Sequence, residues 1–290
     1  MITIEKKIII SFIVIGIIAI LSVGLPGYFA ARMRLRRLTF DHLTALREAK
    51  KEEIERYFTL LTSQCLTISE TMIAQESMVH FQKAFYELEK QTSPQQYDEY
   101  IKSLTNFYNN DFLPSYNRTA SIKKTATDVF PTEKNTVILQ ALYIAQNPNP
   151  INKKQEYTQA PDKSSYSAVH AQYQPFFNRF MQRFGYLDVY LVDTTTGYIV
   201  YTTGKLTDIG RNFLTDPFLQ NTPVAELFRE IQQSTDPFFA KLVDYDFYGP
   251  AYNMPAAFIG TPIFKEDKKL GSLLFGLPID AINKIMTYNE

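Results

Sequence analysis

Between Lys7 and Arg32 the chain carries no charged residue, and residues 8–25 are rich in Ile, Val and Leu. At about 1.5 Å per residue, a helix over this stretch crosses a hydrocarbon core of roughly 30 Å with some tilt to spare. The rest of the chain has ordinary soluble composition, so the first constraint is an address: residues 1–37 read as a membrane anchor with a basic flank. A cleaved signal peptide is the competing reading, but its apolar region runs only about 7 to 15 residues and ends at a small-x-small site. Here the run is longer, and Arg32 follows Phe29-Ala30-Ala31 at once. Flanking charge leaves the orientation open. Lys6 and Lys7 on one side face Arg32, Arg34, Arg36 and Arg37 on the other, and long domains translocate largely regardless of such counts.

Thirty basic residues balance thirty acidic ones, which excludes a strong electrostatic case for nucleic acid as a partner. The single cysteine, Cys65, rules out an intrachain disulfide and reads as a small buried side chain on a helix. Nineteen Tyr and twenty-two Phe stand beside no Trp; tyrosine suits both half-buried strands and the walls of a ligand pocket. His42, His80 and His170 have no Glu or Cys at ligand spacing, so no metal centre is expected. Nothing matches a cofactor motif either, since Gly197 and Gly204-Lys205 are too widely spaced for a phosphate loop. Asp188, Asp193, Asp244 and Asp246 are the carboxylates available for an acid and base pair. With no supporting motif, such residues at strand ends read as turn caps or exposed positions, and the chain reads as a non-enzyme.

Residues 35–89 contain neither Pro nor Gly, and a long stalk helix is expected over 38–92. Ile54, Leu61 and Ile68 repeat every seven residues, with Phe58, Cys65, Met72 and Val79 four positions later. That makes one apolar stripe, which needs a partner in the body's own sheet or in the stalk of a second subunit. Glu52 and Arg56 are spaced to support the helix. Residues 93–165 read as a helical insertion broken by Leu113-Pro114, Phe130-Pro131 and Asn147-Pro148-Asn149-Pro150; Asn117-Arg118-Thr119 matches a short glycosylation acceptor. A further helix is expected over 167–184, kinked or interrupted at Pro175 and stopped by Gly185.

After Gly185 the period becomes alternating. Leu187, Val189 and Leu191 share one face of a strand, expected to pack on the stalk, while Tyr186, Asp188 and Tyr190 share the other. Strands are expected at 186–192, 198–203, 238–247, 256–264 and 270–277, with a helix within 216–233 and another beginning at 279. The class is α+β: an N-terminal transmembrane helix, a stalk, a helical insertion and a PAS-like five-stranded antiparallel sheet over 166–290.

Three segments resemble the membrane-distal module of double Cache sensor regions, found in bacterial chemoreceptors, sensor histidine kinases and nucleotide cyclases. They are the run from Ala45-Leu46-Arg47-Glu48 to Tyr57-Phe58, the run from His170-Ala171-Gln172-Tyr173 through Gly185-Tyr186-Leu187-Asp188-Val189-Tyr190 to Thr196-Gly197, and the run from Asp246-Phe247-Tyr248-Gly249-Pro250 through Pro255-Ala256-Ala257-Phe258-Ile259 to Leu277-Pro278-Ile279-Asp280. The resemblance implies a ligand-sensing module of a signal-transduction receptor, held at the cell inner membrane by one span with its body periplasmic or extracellular. Such receptors continue into a membrane-proximal module and a cytoplasmic output domain, and this chain reads as ending before them. Without Trp, the aromatic and Arg pattern of the amino-acid-binding members cannot be laid onto it.

The expected pocket is lined by Tyr190 and Tyr201 of the first hairpin with Asp244, Asp246, Tyr248 and Tyr252 around the third strand. Carboxylates among aromatic rings favour a small cationic ligand, an amine or amino acid. No cofactor is expected, and a homodimer through the stalk is. The alternatives are a membrane-anchored scaffold with no small-molecule ligand and an anchored hydrolase.

Overall fold

The computed structural model describes residues 3–287, and the expected α+β architecture is present. The elements are α1 (Ile4–Ser69), α2 (Met72–Gln91), α3 (Pro94–Phe107), α4 (Leu113–Thr119), α5 (Ala126–Val129), α6 (Lys134–Gln140), α7 (Ser165–Phe184), β1 (Asp188–Val192), β2 (Ile199–Thr202), α8 (Pro223–Gln233), β3 (Lys241–Tyr248), β4 (Met254–Lys265), β5 (Lys268–Pro278) and α9 (Asp280–Thr287). The chain divides into two compact units, Met1–Arg56 and Tyr57–Glu290.

The first unit is the N-terminal part of α1, which is long and apolar enough to cross a membrane and has none of its most apolar window buried. Beyond the apolar stretch its charges pair along the helix, Arg56 with Glu52 at 2.8 Å and Lys51 with Glu55 at 3.8 Å.

In the second unit the helix does not run unbroken to residue 89. It ends at Ser69, and Thr71 starts α2 by accepting a hydrogen bond from the Ala74 amide on its side-chain oxygen. Neither Glu70 nor Thr71 is a helix breaker, so the sequence carries no strong signal for this interruption. It resets the helical phase. Leu61 and Cys65 are buried as the stripe requires, but Met72 and Val79 are 71% and 44% exposed, and the inward face of α2 is instead Met78, Phe81, Phe85 and Leu88.

The five strands are antiparallel in the order β2-β1-β5-β4-β3. Both faces of the sheet are covered, which is why every residue of β1 and β2 is buried. On one face Val189, Leu191, Tyr201 and Phe275 pack with Leu61, Cys65, Phe81 and Phe177 of the helical layer, and Phe81 stacks on Tyr201 with centroids 4.4 Å apart. On the other, Tyr190, Val192, Phe258 and Leu274 pack with Leu227, Phe228 and Ile231 of α8. Val189 and Leu191 thus face the helices as expected. Leu187 packs against the α8 core, because it precedes β1 and escapes the alternation.

α2 approaches the sheet closely at Gly271 of β5, where a Cβ would stand 2.6 Å from Met78 Cγ. The insertion extends the helical layer through Leu104, Tyr108, Leu139 and Leu142. There the Asn117 side chain is engaged by the backbone N–H and C=O of Lys124. Pro175 lies inside α7 without ending it. The Cys65 thiol is fully buried, and burial pushes its pKa upward.

Leu61→Asp, which places an unpaired charge in this core, is expected to lower stability by about 3 kcal/mol or more, whereas Val79→Asp stays within about 0.5 kcal/mol. Denaturant titration of the two variants checks the reset phase: equal losses would mean that the stripe continues through residue 79.

Candidate functional site

The α8 face of the sheet carries an acidic residue where an apolar one is the rule. Asp188 opens β1, is fully buried, and its Oδ1 accepts the backbone N–H groups of Val189, Thr203 and Gly204 at 2.7, 2.8 and 2.7 Å. Gly204 is required by this approach, since a Cβ there would lie 2.7 Å from Asp188 Oδ2. The carboxylate so ties down the start of the long segment between β2 and α8, which carries Lys205, Asp208 and Arg211.

Asp208 is also fully buried and accepts the Tyr248 hydroxyl on Oδ2 at 2.7 Å. Tyr190 and Tyr248 flank Phe258, with centroid separations of 6.0 and 4.8 Å. Asp188 Oδ2, Asp208 Oδ1 and the Thr202 hydroxyl are buried with no hydrogen-bond partner; the Tyr190 hydroxyl is directed at Asp208, and Thr202 lies opposite Tyr190 in the β1/β2 register. Burial raises the pKa of Asp188, and the facing Asp208 raises it further. Burial raises that of Asp208 too, against the hydroxyls of Tyr248 and Tyr190, whose dipoles lower it. The tyrosines are raised by burial first and by Asp208 second.

Lys205 turns to the helical side. Its Nζ donates to Gln174 Oε1 at 2.9 Å and to the carbonyl oxygens of Thr202 and Thr203, and it lies 4.8 Å from the centre of the Tyr201 ring. Burial lowers its pKa, while Asp188 and Asp208 act to raise it. Arg211 is likewise committed: it donates to Thr207 O at 2.7 Å, to Asp216 at 2.8 Å, to the Tyr108 hydroxyl at 3.0 Å and to Val129 O. Gln140 of α6 bonds Thr207 O and Ile209 O, and Thr136 bonds Gly210 O at 2.6 Å. The segment bearing Asp208 is therefore braced by the helical insertion. Among the described residues neither Lys205 nor Arg211 makes an ion pair with Asp188 or Asp208, although the charge of Lys205 lowers the pKa of Asp188 and that of Arg211 lowers the pKa of Asp208.

Of the six residues expected to line a pocket, the structure brings Tyr190 and Tyr248 together. Tyr201 lies on the opposite face of the sheet, its hydroxyl donating to Gln174 at 2.6 Å. Asp244 and Asp246 are exposed on the edge strand β3, where a register shift between Val243 and Asp246 interrupts the alternation, whereas Tyr190 is fully buried. Tyr252 is half-buried against Phe112 of the insertion, 5.3 Å between ring centroids. Asp208 escaped sequence reading altogether. Its one visible signal is an acidic residue in the short loop between Gly204 and Gly210. Among the described residues no group of three or more His, Cys, Asp or Glu is placed to hold a metal ion.

No protein-family model matches the sequence, and no curated protein matches it. The structure is similar to the sensor domain of the V. cholerae histidine kinase DctB, with 14% identity over 71% of this chain and 60% of that one, and a TM-score of 0.29. It is also similar to the ligand-binding domain of the Pseudomonas fluorescens chemoreceptor CtaA in complex with L-serine, with 14% identity, 65% of each chain and a TM-score of 0.30. The ligand-binding domain of the Campylobacter jejuni chemoreceptor Tlp3 in complex with 4-methylisoleucine matches with 12% identity, 76% of this chain, 65% of that one and a TM-score of 0.28. The chain spans less than two thirds of the length of each. All three of those proteins are sensor or ligand-binding domains.

The raised carboxyl pKa values have a consequence for stability. A native-state pKa above the unfolded value of about 3.9 stabilises below that pH, and the contribution is lost as pH rises through the native pKa. The depressed Lys205 works in the opposite sense at higher pH. Asp188→Asn keeps an oxygen for the three amides and removes one of the two acids. Its unfolding free energy in denaturant titration is expected to exceed that of the wild type at pH 8, by about 1.4 kcal/mol for each pH unit by which burial raises the carboxyl, with the gap closing toward pH 4. A gap independent of pH would mean that Asp188 is not held protonated by burial.

Proposed function

We propose that this chain is a membrane-anchored sensing module of a signal-transduction receptor, with α1 crossing the membrane and the body outside the cytoplasm. In this reading residues 1–37 are the anchor, 38–92 the stalk, 93–165 the helical insertion and 166–290 the sensor module. Two sensors pair through their stalks, where exposed Leu38, Leu43 and Leu46 offer apolar surface.

The ligand is a small molecule bearing an amino group, taken up on the α8 face of the sheet by Asp188 and Asp208 between the rings of Tyr190 and Tyr248. One observation carries this reading: Asp188 Oδ2, Asp208 Oδ1 and the Thr202 hydroxyl, around Tyr190, are buried without hydrogen bonds. An ammonium supplies donors to carboxylate oxygens and sits well against tyrosine faces. Because such a cation replaces the proton held by the carboxyl pair, its affinity rises with pH across the range in which Asp188 and Asp208 ionise.

Thermal shift with a library of amines and amino acids tests the ligand. A member at about 100 times its Kd adds roughly 2.7 kcal/mol. The gain is expected to be larger at pH 8 than at pH 5, to vanish in Asp208→Asn and to survive in Asp246→Asn. Stabilisation only by carboxylates or sugars would rule out the amine, and no stabilisation by any library member would leave the scaffold reading in its place.

The topology has its own check. A reporter fused after residue 290 is expected to be active only when the reporter requires export, and activity of a cytoplasm-only reporter there would overturn the sensor reading.

A further inference from the structure

We propose that Arg32, Arg34, Arg36 and Arg37 form a collar that binds the phosphate groups of anionic phospholipids at the end of the membrane segment. The inference rests on the proposed crossing of the membrane by α1. Four arginines occur within six positions directly after the uncharged stretch. All are exposed, and among the described residues none of them makes an ion pair, although Asp41 lies one turn beyond Arg37. Further along the same helix the pattern reverses. Arg47, Lys50, Lys51 and Arg56 each have a carboxylate partner.

Helical geometry argues for lipid over a protein partner. At about 100° per residue, Arg36, Arg37 and Arg34 stand roughly 40°, 140° and 200° around the helix from Arg32, so the charges are spread over more than half of the circumference. A partner helix covers one side; a headgroup layer surrounds the whole. The vertical match is as good: Arg32 to Arg37 rises about 7.5 Å, against a headgroup region of roughly 5–8 Å on each side of the hydrocarbon core.

Arg32 and Arg36 also share a groove with Tyr28, Leu35, Thr39 and Phe40. Tyrosine rings such as that of Tyr28 settle at the membrane interface, while a guanidinium takes a phosphate through two parallel hydrogen bonds. The arginine excess on the side of the body, which counts against export by simple charge bias, thereby acquires a role of its own.

The test uses the full chain in nanodiscs of equimolar phosphatidylglycerol and phosphatidylcholine, with retained lipids counted by native mass spectrometry and membrane integration by carbonate extraction. The wild type is expected to retain phosphatidylglycerol about five-fold or more over phosphatidylcholine. The variant carrying R32Q, R34Q, R36Q and R37Q is expected to lose that preference while resisting carbonate as the wild type does. Excess inorganic phosphate at constant ionic strength should not displace the lipid. Equal lipid preference in the two proteins, both carbonate-resistant, overturns the collar alone. Displacement by phosphate overturns the assignment to lipid, and extraction of the wild type by carbonate overturns the anchoring and the collar with it.

Discussion

A single carboxylate oxygen organises the part of the body that carries the candidate site. Asp188 Oδ1 collects three backbone N–H groups, one from its own strand and two from the turn that leaves β2. A hydrogen bond contributes about 0.5–1.5 kcal/mol net, and leaving such amides buried and unmet costs about 1–3 kcal/mol each. This oxygen therefore reinforces the junction between the end of β2 and the start of β1, beside the backbone bond from Thr203 N–H to Val189 O at 3.0 Å. The same residue brings the cost of its burial, which Asp208 increases. A carboxyl that is indispensable through one oxygen leaves the other without a partner, and that asymmetry gives the α8 face its chemistry.

From that point order spreads outward through polar groups rather than apolar ones. Arg211, Gln140 and Thr136 stitch the segment beyond β2 to α6 and to the region around Tyr108 and Val129. Seen from the sequence, residues 93–165 are an insertion before the sheet. In the folded chain they are part of the wall that fixes Asp208, and a buried guanidinium with every nitrogen engaged is costly to disturb because it would be left without partners.

The strands were legible because residues 186–192 alternate and residues 270–277 form a short apolar run, closed by Thr194-Thr195-Thr196-Gly197 and Pro278, and the class of the fold followed from their order. The break after Ser69 was hidden, since Glu70 and Thr71 are as compatible with helix as their neighbours and the interruption is decided by tertiary packing. Tyr190 and Tyr248 were found by residue type. Asp244 and Asp246 were misplaced because the shift after Val243 moves a strand by a register that no local pattern announces. Asp188 was visible as an acid in the middle of an apolar alternation but was read as a possible turn cap. Asp208 sits in a loop, where nothing in the sequence distinguishes a buried acid from a solvated one.

Met78 of α2 rests where β5 has Gly271 and therefore no side chain. A turn of α2 by one residue, about 100°, would bring the smaller Ser77 or the β-branched Val79 over that notch and drive the methionine against neighbouring side chains of the sheet. The pair acts as a key and keyway. It fixes the angular setting of α2 on the sheet independently of the apolar stripe, so that the helix after the break has a single orientation even though the break itself imposes none.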